Sequence, residues 1–120
     1  VIKKGGSILL VLPDKNFTFD HNRDVTKFEH LLEDLNNNID ETDLTHLPEI
    51  LNKHDLSMDL AAGSIEQFKN RSLDNFSNRC LHHHVFDFEL LEQIFEYNNI
   101  EIIEKSFAKP YHQIILGIKK

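Results

Sequence analysis

The apolar run Ile8-Leu9-Leu10-Val11-Leu12 stands between Gly5-Gly6 and Pro13-Asp14-Lys15. An unbroken aliphatic run of strand length predicts a buried strand over 7–12. Gly5-Gly6 predicts a tight turn before it, and Pro13 ends it because proline cannot donate to a ladder. A polar loop follows from Asp14 to Asp24. From Thr26 the period changes: Phe28, Leu31, Leu32 and Leu35 recur at helical spacing, with Glu29, Glu33 and Asp34 on other faces. Asn36-Asn37-Asn38 stops that helix. Residues 37–80 are richer in Asn, Asp, Ser and Lys and more weakly patterned. Leu44, Leu47 and Leu51 predict one short helix there, and Ala61 to Phe68 another. The segment reads as a helical insertion or lid, since a structureless loop of that length inside a compact domain is unusual.

Regular order returns at residue 81. Leu81 to Phe86 reads as a short extended piece and Asp87 as a helix N-cap. Phe88, Leu91, Ile94 and Phe95 form one apolar stripe, closed by Asn98-Asn99. Ile100 to Phe107 and Tyr111 to Ile118 read as strands whose Ile and Leu belong to the core. The link Ala108-Lys109-Pro110 is so short that they must be antiparallel neighbours. The first and second strands, with helix between them, suit a right-handed parallel crossover. The expected fold class is α/β: strand, helical insertion, helix, strand, antiparallel strand. It forms a single partial domain over 1–120, with parts at 1–36, 37–80 and 81–120. A sheet that opens on its most buried strand is expected to continue beyond it. The open edge left beside 7–12 is a template on which a homo-oligomer can form.

Composition narrows the partners. The formal charge is −7, which argues against non-specific binding to nucleic acid or to an anionic membrane surface. No apolar stretch approaches the roughly 20 residues of a membrane span, and the opening residues do not read as a secretory leader. Cys80 is the single cysteine. That excludes an internal disulfide and a cysteine-based zinc finger, and Cys80 reads as a small buried apolar residue. The expected setting is reducing and cytoplasmic. Phe17, Phe19, Phe28, Phe68 and Phe76 read as core, with the wall of an aromatic-binding pocket as the alternative.

Three groups of residues carry candidate chemistry. Asp14, Lys15, Thr18, Asp20 and Arg23 crowd the loop after the first strand, where ligands of open α/β sheets lie. A carboxylate there can orient or deprotonate a hydroxyl nucleophile. The alternative is a solvated loop in which Asp20 caps a turn and Arg23 pairs with a neighbouring carboxylate. His30 and Asp34 are four apart and share a helix face. That spacing suits a metal pair, a base with its orienting carboxylate, or a surface pair near a helix end. His46 joins them if the insertion folds back. In an extended His82-His83-His84, His82 and His84 point to one side and His83 to the other. Two ligands on one face do not make a metal site, so no metal is assigned; a His/Asp metal hydrolase stands as a rival.

Taken in order, the phrases Lys3-Lys4-Gly5-Gly6, Pro13-Asp14-Lys15, Thr18-Phe19-Asp20, Arg23, Thr26, His30-Leu31-Leu32-Glu33-Asp34, His46 and His82-His83-His84-Val85-Phe86 resemble the second half of a class I S-adenosylmethionine-dependent methyltransferase. More narrowly, they are similar to a bacterial subfamily found among glycan and cell-surface polysaccharide functions, whose usual phrases are close to KPGG, IPDKRYTFD, R-x-x-T-x-x-x-H-L-L-x-D and HFHVWT. The resemblance spans nearly the whole chain. It implies the C-terminal portion of a Rossmann-like methyltransferase sheet, whose last strand inserts between the two before it. It implies methyl transfer to an oxygen or nitrogen of a sugar or glycan precursor. Carried over residue by residue, His30, His82, His84 and Asp20 become the catalytic candidates, and Asp14, Lys15, Thr18, Arg23, Asp34 and His46 the acceptor-binding ones. S-adenosylmethionine is implied as cofactor of the intact protein. The chain has no glycine-rich strand–turn–helix of the G-x-G-x-G type to approach that cofactor. By the same resemblance, then, these 120 residues bind it weakly or not at all by themselves and are inactive alone.

Overall fold

The computed structural model describes residues 2–120. The elements run β1 (Ser7–Pro13), α1 (Phe28–Asn37), α2 (Leu47–Lys53), α3 (Ile65–Leu73), α4 (Asn75–Asn78), α5 (Phe88–Tyr97), β2 (Ile100–Ala108) and β3 (His112–Lys119), with single 3-10 turns at 15–17, 56–58 and 60–62. The sheet has the order β1-β3-β2, and β3 is antiparallel to both neighbours. β1 and β2 therefore run in the same direction with the last strand between them. Local chemistry sets the ends. The Gly6 N–H donates to the Lys3 carbonyl at 2.8 Å, and Gly5 sits at φ +79° inside that turn, a conformation only glycine takes without strain. Asn38 closes α1 in the left-handed region, and the Asp87 side chain accepts from the Leu90 N–H to open α5.

The main core lies where α5 covers one face of the sheet. Leu91, Phe95, Ile100 and Ile115 are buried, with Ile8, Leu10, Leu12 and Ile102 packed against them. Gly117 makes that contact possible. A Cβ there would stand 2.5 Å from Ile100 Cγ2, 2.7 Å from Phe95 Cε1 and 2.8 Å from the Glu101 carbonyl oxygen. The last is backbone and cannot rotate away. Gly117→Ala is therefore expected to destabilise the fold by about 1–3 kcal/mol, read from urea unfolding; a variant as stable as the parent would contradict this packing.

The opposite face of the sheet departs from the expected pattern. β1 is an edge strand, with Leu9 59% and Val11 49% exposed. Ile103 and Ile118 also lie 52% and 38% exposed, and Phe107, paired with buried Gln113, is 40% exposed at the far end of β2, so of the core expected over 100–118 only Ile100 and Ile115 are fully buried apolar residues. A helix covers one side only, and period-2 alternation leaves every second side chain on the other. Phe68 is core, but Phe17 and Phe76 are exposed at 51% and 65%, and Cys80 is only half-buried.

The 37–80 insertion is helical and has its own small core of Ile50, Ala62 and Phe68, with Leu51, Leu56 and Leu81 against it. His54 seals that core. Its ring stacks on Phe68 at 4.1 Å and lies 4.4 Å from Phe19, and its Nε2 is 3.1 Å from Asp59 Oδ2. Burial depresses its pKa below the ordinary 6.5, although Asp59 opposes the shift. The unfolded chain thus takes up a proton before the folded one does, and stability rises with pH through that window. The urea midpoint is expected to fall as pH drops from about 7.5 to about 5.5, and His54→Phe to flatten that slope. An unchanged slope would contradict a neutral, buried His54. Among the described residues no helix is long and apolar enough to cross a membrane.

Candidate functional site

Residues 81–86 lie along the polar loop 14–26 at the carboxyl end of β1. Asp14 bridges Phe86 in parallel. The Lys15 N–H donates to the Phe86 carbonyl at 3.2 Å, and the Thr26 N–H to the Val85 carbonyl at 3.0 Å. The Val85 N–H returns a bond to Thr26 Oγ1 at 2.9 Å. Arg23 clamps the two segments. Its Nη1 donates to Asp20 Oδ1 at 3.1 Å and to the His82 carbonyl at 2.6 Å, and its Nη2 to the His83 carbonyl at 2.9 Å. Only 1% of the residue is exposed. The Arg23 Nε has no hydrogen bond and stands 3.7 Å from Glu49 Oε2, which ties in α2 loosely.

Asp20 is as buried as Arg23, and its second oxygen accepts from His82 Nδ1 at 2.6 Å. Burial pushes the Asp20 carboxyl up, but the hydrogen bond and charge of His82, then those of Arg23, outweigh it, and its pKa lies below the ordinary carboxylate value. An ionised Asp20 can only accept, so the His82 nitrogen facing it, Nδ1, is the donor of this contact and Nε2 is the nitrogen left for another partner. Among the described residues Nε2 takes no hydrogen-bond partner. His82 packs on Phe19 with ring centres 4.9 Å apart. It borders two cavities: one of about 530 Å³ walled by Phe17, Thr18, Phe19 and Tyr111, and one of about 410 Å³ beside His83 and Phe86.

A second cluster sits on the other side of this segment. His30 Nε2 lies 3.0 Å from His46 Nε2 and 3.4 Å from Asp34 Oδ2, and His84 Nε2 lies 2.8 Å from Asp34 Oδ2. The three imidazole rings meet edge-on at 4.9–5.5 Å. Burial lowers the pKa of His84, with Asp34 opposing and His46 and His30 reinforcing. Burial lowers His46 as well, helped by His30 and Arg23. A cavity of about 280 Å³ opens beside His30 and His46.

His30, Asp34 and His46 thus come together as their spacing allowed, because the insertion does fold back. His82 and His84 both border the cavity of about 410 Å³ but take different partners: one serves Asp20, the other Asp34. The chain bends at His84 and is not a regular strand, with Arg23 gripping the two preceding carbonyls. Of the expected acceptor contacts, Asp14 caps the 3-10 turn through the Asn16 N–H at 2.8 Å. Lys15 Nζ donates to the His21 carbonyl at 3.1 Å, and Thr18 Oγ1 to the Lys15 carbonyl at 3.2 Å. These groups hold their own loop, and only Thr18 also borders the larger cavity. Asp20 and Arg23 are enclosed and reach the site through His82. Sequence reasoning missed Asn75, 3% exposed, which accepts from the Leu81 N–H at 2.9 Å and donates to the Glu41 carbonyl at 3.0 Å. Nothing in the polar stretch around it sets Asn75 apart.

An oriented Asp–His pair facing a cavity can withdraw a proton from a bound hydroxyl, and four converging nitrogen and oxygen donors can hold a cation. Comparison of the chain with protein-family models, with curated proteins and with solved structures gave no match.

Proposed function

We propose that the chain is the acceptor-side part of an S-adenosylmethionine-dependent methyltransferase, acting in the intact protein on a sugar or glycan precursor. The Asp20–His82 pair carries the proposal: a buried carboxylate holds Nδ1 of an imidazole that borders a cavity at the carboxyl end of β1, where α/β folds bind ligands. S-adenosylmethionine, when bound, supplies an electrophilic methyl group. The described residues offer it no glycine-rich element, so what these residues do concerns the acceptor alone. His82 Nε2 accepts the hydroxyl proton as the oxygen becomes nucleophilic, and Asp20 stabilises the imidazolium that results. Phe17, Phe19 and Tyr111 give the cavity aromatic walls, on which the apolar face of a sugar ring can lie.

The sheet order supports the same proposal. A final strand inserted antiparallel between two parallel ones is what the resembling fold requires. The bare face carrying Leu9, Val11 and Ile103 is what a second helical layer of a Rossmann-like sheet would cover. That face, with the free β1 edge, also favours a second reading, a self-associating interaction module; sedimentation of a concentration-independent monomer would remove it. The acceptor side is tested by titrating the ¹⁵N-labelled chain with a panel of nucleotide sugars. Amide shifts confined to Thr18, Phe19, His82 and Tyr111 are expected. Shifts elsewhere, or none, would contradict the proposal.

A further inference from the structure

We propose that His30, Asp34, His46 and His84 bind one Zn²⁺ ion, which clips α1 and the start of α2 to the 81–86 segment. All four donor atoms lie within 4.8 Å of one another. Zinc–ligand bonds of about 2.0–2.1 Å at tetrahedral angles place donors roughly 3.3 Å apart. The observed separations of 2.8 Å (Asp34 to His84), 3.0 Å (His30 to His46) and 3.4 Å (His30 to Asp34) bracket that value. Three imidazoles turn the same nitrogen, Nε2, toward one point, and a single carboxylate oxygen completes the set. Three nitrogens and one oxygen form a donor set suited to zinc. Behind the cluster, Glu33 Oε2 lies 3.9 Å from His30 Nδ1, on the side where a carboxylate orients a ligating histidine.

Four protein donors fill a tetrahedral shell and leave no position for water, so the ion is a cross-link and not a hydrolytic centre. The ligands are far apart in the chain, 16 residues between His30 and His46 and 50 between Asp34 and His84. Binding therefore adds its free energy to the fold, and it fixes the insertion against the segment that carries His82. The site stands independently of methyl transfer.

The test is calorimetric titration of chelator-dialysed protein with ZnCl₂, followed by CoCl₂ substitution. One ion per chain, a raised thermal midpoint and the visible bands of tetrahedral cobalt are expected. His84→Ala and the near-isosteric Asp34→Asn each remove a direct ligand and should weaken binding by more than the roughly 10–100-fold typical of losing an outer-shell partner, while His21→Ala, outside the cluster, leaves it unchanged. Circular dichroism identifies any variant that fails to fold, and Asp34→Asn then decides. No stoichiometric zinc, octahedral cobalt, or binding that survives Asp34→Asn would overturn the proposal.

Discussion

Arg23→Met is expected to cost about 3–5 kcal/mol of folding stability, the usual consequence of removing one partner of a buried ion pair. The guanidinium is 1% exposed and meets the Asp20 carboxylate and two backbone carbonyls. Methionine fills much of the volume but donates nothing. Asp20 is then left buried with only His82, and the partly buried carbonyls of His82 and His83 lose their donor. Lysine is not expected to rescue, because one ammonium cannot span three acceptors held in a fork. Urea unfolding measures the loss. A cost near 1 kcal/mol, typical of an exposed pair, would show that Arg23 does not clamp loop 14–26 to residues 81–86.

His82→Ala in the intact protein is expected to slow methyl transfer about 10²–10⁴-fold, the range for loss of a general base. The effect should fall on kcat, with the apparent affinity for S-adenosylmethionine unchanged, because the proposed mechanism assigns His82 to the acceptor's proton and not to the cofactor. His83→Ala is the control of position: its ring lies by Asn75, with Nε2 3.3 Å from Asn75 Nδ2, and it should keep most of the rate. Asp20→Asn is less clean, since it also breaks the pair with Arg23. Equal rates for His82→Ala and the parent would remove the dyad from the mechanism.

The elements were legible where a local rule decides them. Gly5 in its turn, Asn38 and Asp87 at helix ends, and the short link between β2 and β3 all follow from backbone chemistry within a few residues. β1 reads as a fully buried strand and is half-exposed, because a run of five aliphatic residues looks the same whether one face or both are covered. What covers a face is set by distant chain, here α5. The site divides along the same line. His30 and Asp34 share a helix face by spacing alone. That His84 joins them while His82 turns to Asp20 depends on Arg23 holding two carbonyls some 60 residues away, which no periodicity records. Arg23 and Asp20 read as loop charges open to solvent or substrate. Their burial is a property of the pair, since each is tolerable inside only because the other is there.

The most direct test of the acceptor-side account is calorimetric titration with S-adenosylmethionine of this 120-residue chain, beside a version extended N-terminally from its source gene. Binding by the extended protein alone is the predicted result, because the chain lacks the glycine-rich turn that lets backbone approach a nucleotide. Silence from both proteins would contradict the methyltransferase account, and binding by the chain alone would contradict its assignment to the acceptor side.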